Sequence, residues 1–105
     1  MIFIPFDETK VNKNAKPYEN KDKILSFFKN GKKYAIAPTF WYDMFTNEKV
    51  GDDIFTYTDG KYEWSCYIPY YIEKYNYRLE KEYEDMILNE LAIRELRTIK
   101  KWEKG

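Results

Sequence analysis

Residues 53–65 read Asp53-Ile54-Phe55-Thr56-Tyr57-Thr58-Asp59-Gly60-Lys61-Tyr62-Glu63-Trp64-Ser65. Two runs rich in aromatic and β-branched residues flank an Asp-Gly pair, the strongest short-range hairpin signal a sequence offers. With Asp59-Gly60 as a two-residue loop, Thr58 faces Lys61, Tyr57 faces Tyr62 and Phe55 faces Trp64. Side chains alternate along a strand, so Phe55, Tyr57, Tyr62 and Trp64 share one face. The other face is largely polar. A lone two-stranded ribbon of this kind is not stable in water, and its aromatic side requires a cover.

The cover is expected from helices. Residues 79–102 place Leu79, Tyr83, Met86, Ile87, Leu91, Ile99 and Trp102 at amphipathic spacing, with no Gly or Pro between them. This long C-terminal helix is the expected roof of the aromatic face. A short helix is expected over 22–30, with Ile24, Leu25, Phe27 and Phe28 inward and Gly31 as a left-handed residue beyond its end. A second, over 68–75, carries Pro69 near its first turn and buries Ile68, Tyr71, Ile72 and Tyr75, ending at Asn76. Strands are expected at 2–6 and 33–39, the latter resumed at 40–43 in a second register, with a turn at 46–49. The chain therefore reads as a single α+β domain over residues 1–105. Its sheet is small and antiparallel, of three or more strands in meander order, with one long and one or two short helices on it.

Composition narrows the function. Eighteen basic and eighteen acidic residues cancel, which disfavours a globally basic nucleic-acid binder. Without histidine the chain lacks the commonest general base and the usual zinc ligand. A single cysteine, Cys66, forms no internal disulfide, and the scattered glycines make no phosphate loop. Cys66 reads either as a reactive thiol or as a small core residue. Met1–Phe6 is apolar but has no basic leader and is too short for a signal sequence. No run reaches the roughly 18 apolar residues of a membrane span. A cytoplasmic protein with no cofactor and no metal is expected.

Charge is nevertheless segregated. Residues 10–33 hold Lys10, Lys13, Lys16, Lys21, Lys23, Lys29, Lys32 and Lys33 against Glu19 and Asp22. Residues 43–63 are acidic, with Asp43, Glu48, Asp52, Asp53, Asp59 and Glu63 against Lys49 and Lys61. A pair of these acids can hold a cation or act as acid and base. Equally, they can serve turns and a solvated sheet face. Acids at the start of the last helix and bases at its end suit the helix dipole. Together with the acidic hairpin, the acidic start also forms a face for a basic partner. Eleven tyrosines and three tryptophans suit a core, a protein interface or base stacking.

The run Tyr57–Ser65, then Ile68–Asn76 and Leu79–Ile87, resembles a pattern in small bacterial immunity-type proteins of polymorphic or contact-dependent toxin systems. There a hairpin ending in Trp feeds a Tyr-Tyr-x-x-Lys-Tyr helix and a final helix. The resemblance spans about residues 41–90, with Glu80 where the pattern has Pro and Tyr83 where it has Phe. It implies an α+β protein that binds and occludes a cognate toxin domain and has no catalytic residue. The expected partner-binding residues are Trp41, Tyr42, Asp43, Glu48, Asp52, Asp53, Asp59 and Glu63, with the two aromatics as hot spots. The alternative is a small nucleic-acid-associated or regulatory protein using residues 10–33. A carboxylate enzyme built on Asp52 or Asp53 is the third reading.

Overall fold

The computed structural model describes the backbone of residues 1–103 and the side chains as far as Ile99. The side chains of Lys100, Lys101 and Trp102, and the whole of Lys104, lie outside the described residues. In chain order the elements are β1 (Ile2–Ile4), α1 (Lys21–Lys29), β2 (Lys32–Ala37), β3 (Trp41–Tyr42), β4 (Lys49–Gly51), β5 (Ile54–Thr58), β6 (Tyr62–Ser65), α2 (Tyr67–Tyr75) and α3 (Lys81–Glu103). The α+β class holds, with a four-stranded sheet, a separate hairpin and three helices.

Sheet order is β1-β6-β5-β2, and β3 pairs with β4 in a sheet of their own. The larger sheet is mixed rather than antiparallel, because β1 runs parallel to β6 with Ile4 beside Trp64. Nor is it a simple meander. Pro38 follows β2 directly, and the chain leaves the sheet there for the β3–β4 excursion before returning as β5.

The central hairpin forms at a different register from the sequence reading. Tyr57 pairs with Trp64 and Thr58 with Glu63. Asp59 and Tyr62 close the loop, so Gly60 and Lys61 are its central residues, and Gly60 takes φ +98°. The cause is the Asp59 side chain. Its Oδ1 accepts from the amides of Lys61 (3.0 Å) and Tyr62 (2.8 Å), which fixes Asp59 as the residue before the loop. Moving the loop by one residue moves each cross-strand pairing by two, so all four rings stay on one face.

That face is covered by α1. Phe27 and Phe28 meet Trp64 with ring centroids 5.5 and 5.2 Å apart, and Phe27 meets Tyr62 at 5.6 Å. Trp64, Tyr62, Phe27, Phe28 and Ile24 are all buried, whereas Phe55 and Tyr57, farther from α1, are half-buried. Helix α3 supports α1 from behind, burying Ile87 and half-burying Tyr83, Met86, Leu88 and Leu91. Its tie to the hairpin is ionic. Arg94 Nη2 meets Asp59 Oδ2 at 2.7 Å, and Lys61 Nζ meets Glu90 Oε2 at 3.0 Å. The long helix therefore clamps the hairpin tip while the short one roofs the rings. Ile99, expected in the buried stripe, is exposed.

Gly31 also differs from expectation. Its φ is not left-handed, and α1 ends at Asn30. Glycine is required because a Cβ there would stand 2.5 Å from Trp64 Cζ2. The left-handed cap belongs to Asn76, which ends α2 at φ 58° and donates from Nδ2 to Ala15 O.

Candidate functional site: the 40–45 turn and its buried aspartate

Between β3 and β4 the chain turns through Asp43-Met44-Phe45-Thr46-Asn47. Asp43 is 1% exposed. Its Oδ1 accepts from the amides of Phe45 (2.8 Å) and Thr46 (3.0 Å), which bends the backbone over its own side chain. Oδ2 accepts from the hydroxyls of Tyr70 and Tyr75, each at 2.6 Å, and Lys74 Nζ stands 3.3 Å away. Tyr70, Lys74 and Tyr75 come from one side of α2, one helical turn apart. A fourth tie runs from the amide of Met44 to Tyr71 Oη at 3.0 Å.

Electrostatics follow from this cage. Burial alone would raise the Asp43 carboxyl, but the hydrogen bonds from Tyr70, Tyr75, Thr46 and Phe45 outweigh it and hold it well below the usual carboxylate range. The tyrosines respond in the opposite sense. Burial, then the bond to Asp43, pushes Tyr75 up to about 12 and raises Tyr70 as well. Lys74 is held above its usual value by Tyr70 and Asp43. Every member of the cluster therefore keeps one protonation state across neutral pH, which suits a strut and not a proton carrier.

Above the strut the side chains point outward. Phe40, Tyr42, Met44 and Phe45 are 56, 48, 40 and 38% exposed. Phe40, Tyr42 and Met44 rim a shallow groove of about 400 Å³ whose floor includes Phe6, Ile54 and Tyr71. Phe45 packs edge-on to Tyr75 at 4.8 Å, and Lys49 Nζ lies 4.6 Å over the Phe40 ring. Four large apolar groups within six residues of one rigid turn are a concentrated apolar surface.

The residues expected to bind a partner fall into three groups. Tyr42, Glu48 and Asp52 are exposed together on the β3–β4 hairpin, with half-buried Asp53 just beyond, and Asp52 takes Lys49 at 2.6 Å. Trp41 and Asp43 share that hairpin but face inward. Trp41 lies edge-on to Tyr67 and Tyr70 at 5.0 and 5.2 Å, over Gly51, whose added Cβ would meet its Nε1 at 2.8 Å. Asp59 and Glu63 lie elsewhere: β5 separates Asp59 from Asp53 by about 20 Å, at ~3.3 Å per residue. Asp59 is consumed by Arg94, and half-buried Glu63 lies beside Phe3 on the sheet's polar face.

Phe40, Met44 and Phe45 were not among the residues singled out from the sequence. The exposure of Phe40 and Met44 alternates with the inward turn of Trp41 and Asp43, whereas Phe45, of the same parity as those two, is exposed because it lies in the turn beyond the strand.

Cys66 is buried beneath the half-buried Phe55 and Tyr57 side of the sheet, and burial pushes its thiol up, away from reactivity. Among the described residues, no group of three His, Cys, Asp or Glu is placed to hold a metal ion, and no helix is long and apolar enough to cross a membrane. No protein-family model, curated protein or solved structure matches the chain.

Proposed function

We propose that the protein is a non-catalytic binding protein of the immunity type, acting in the cytoplasm by docking on a toxin domain and occluding it. The observation that carries the reading is the turn at 40–45, where Phe40, Tyr42, Met44 and Phe45 are exposed while Asp43 holds the backbone from below. Exposing such groups costs solubility, and a fixed backbone lowers the entropy lost on binding, so the arrangement favours recognition over mere packing. Exposed Glu48 on its rim, beside Asp52 that already pairs with Lys49, favours a basic partner, for which a nuclease domain is the natural class.

Residues 10–33 give the nucleic-acid alternative less support. Lys10 pairs with Glu80 and Lys29 with Glu73, while Lys21 donates to the carbonyl of Glu73, so part of that charge is met within the fold.

The test is inhibition. The C-terminal domain of a secreted toxin encoded beside this gene, assayed with increasing protein, should lose its activity at a 1:1 ratio. Full toxin activity at a large excess of the protein would reject the reading.

A further inference from the structure

The exposed edge of the larger sheet carries a second, independent inference. Edge strands are normally short or blunted, since their free backbone groups invite pairing. The β1 edge obeys this, with three residues ended by Pro5. The β2 edge is blunted only near its start, by Lys32, Lys33 and the irregularity between Lys33 and Ala35. It is the longest strand of the fold, six residues of sequence Lys-Lys-Tyr-Ala-Ile-Ala, and every one is exposed. Tyr34 is 57% and Ile36 60% exposed, so the free edge is apolar as well as long.

We propose that β2 pairs antiparallel with β2 of a second copy about a two-fold axis through Ala35, joining two four-stranded sheets into one of eight. The sequence of the strand carries the choice of occupant. A two-fold perpendicular to the sheet places residues on the regular side of the strand opposite their mirror positions, so Ala35 meets Ala35 and Tyr34 meets Ile36, while the irregularity between Lys33 and Ala35 takes Lys33 out of that pairing. Both apolar residues then face each other twice, and the lysines lie at the two ends of the seam. Parallel pairing would stack lysine on lysine, which is destabilising. The irregularity between Lys33 and Ala35 further disfavours indefinite stacking. In the joined sheet a closed two-fold leaves the short β1 strands as its edges, so pairing through β2 stops at two. A chain of zero net charge also offers no global repulsion to self-association.

A six-residue seam falls below the ~800 Å² per partner of a standard interface, so the dimer should be weak, with a dissociation constant on the order of 100 µM. Sedimentation of the whole protein from about 10 µM to about 1 mM should then show a reversible monomer–dimer equilibrium. Tyr34→Lys/Ile36→Lys sets like charges across the seam at exposed positions and should weaken the dimer at least tenfold. Tyr34→Lys/Ile36→Glu sets opposite charges there and should retain it. In Ala35→Cys the two axis positions come about 4.5–5.5 Å apart between Cα atoms, within disulfide reach, so oxidised glutathione should yield a covalent dimer. Buried Cys66 serves as the internal control in the unmodified chain. A monomer at every concentration, or a dimer indifferent to both charge variants and not cross-linked at position 35, would overturn the proposal. Neither outcome bears on the 40–45 turn, which lies off this seam.

Discussion

Asp43 presents no oxygen to solvent: one accepts from two backbone amides and the other from two phenols, with Lys74 beside it. Removing a carboxylate from water costs several kcal/mol, and only a full set of charge-assisted hydrogen bonds offsets that. Asp43→Asn keeps an oxygen for the two amides but aims an NH₂ at two hydroxyls that donate in the native protein. The expected loss is about 2–4 kcal/mol of stability, visible as a melting temperature lower by roughly 10–20 °C in circular dichroism. The same bonds fix the pH response. A folded-state value held below that of the unfolded chain means the unfolded chain binds the proton first as acid is added. Stability from Asp43 is therefore complete above about pH 5 and declines steadily below it. Asp59, which burial would raise but Arg94 and the loop amides together lower, and Glu90, lowered chiefly by Lys61, add to that decline. In Asp43→Asn the acid slope should be shallower. The sequence shows Asp43 as one acid among six, because its phenolic partners lie 27 and 32 residues away. Only its place before Met44-Phe45-Thr46 hints at a side chain bonded to its own turn.

At the scale of elements, α1 and the hairpin meet through Gly31 as much as through their rings. Gly31→Ala would drive a methyl group into the Trp64 indole, itself fixed between Phe27 and Phe28. Overpacking of this kind should cost about 1–3 kcal/mol, measured by denaturant unfolding, and an unchanged midpoint would refute the packing account. Periodicity made α1, α2 and the hairpin legible, since each buries a regular set of side chains. Which helix roofs which strand was not legible. Length favoured α3 as the roof, yet Ile24, Phe27 and Phe28 supply the buried rings, and Arg94 turns α3 into a clamp. The hairpin faces were readable while its register was not. Asp59 is as well suited to precede a loop as to occupy one, and its own hydrogen bonds decide the matter.

For the whole molecule, the four-stranded sheet and its helices act as the rigid base on which the β3–β4 hairpin is displayed. The aromatic wealth of the sequence divides accordingly. Trp64, Tyr62, Phe27, Phe28, Tyr71 and Tyr77 are core, and Tyr70 and Tyr75 brace the turn. Phe40, Tyr42 and Phe45 remain exposed. A sequence cannot announce that division, because it depends on which rings the fold leaves uncovered. Docking through the turn is the central proposal, and calorimetric titration of the toxin domain proposed as its partner against surface variants tests it most directly. Phe40→Ser/Phe45→Ser removes two exposed rings without touching Asp43 and should weaken binding at least tenfold, about 1.4 kcal/mol. Glu48→Lys/Asp52→Lys should slow association and flatten the loss of affinity with salt, because the attraction that salt screens has been removed. Affinity unchanged in both double variants would contradict the account.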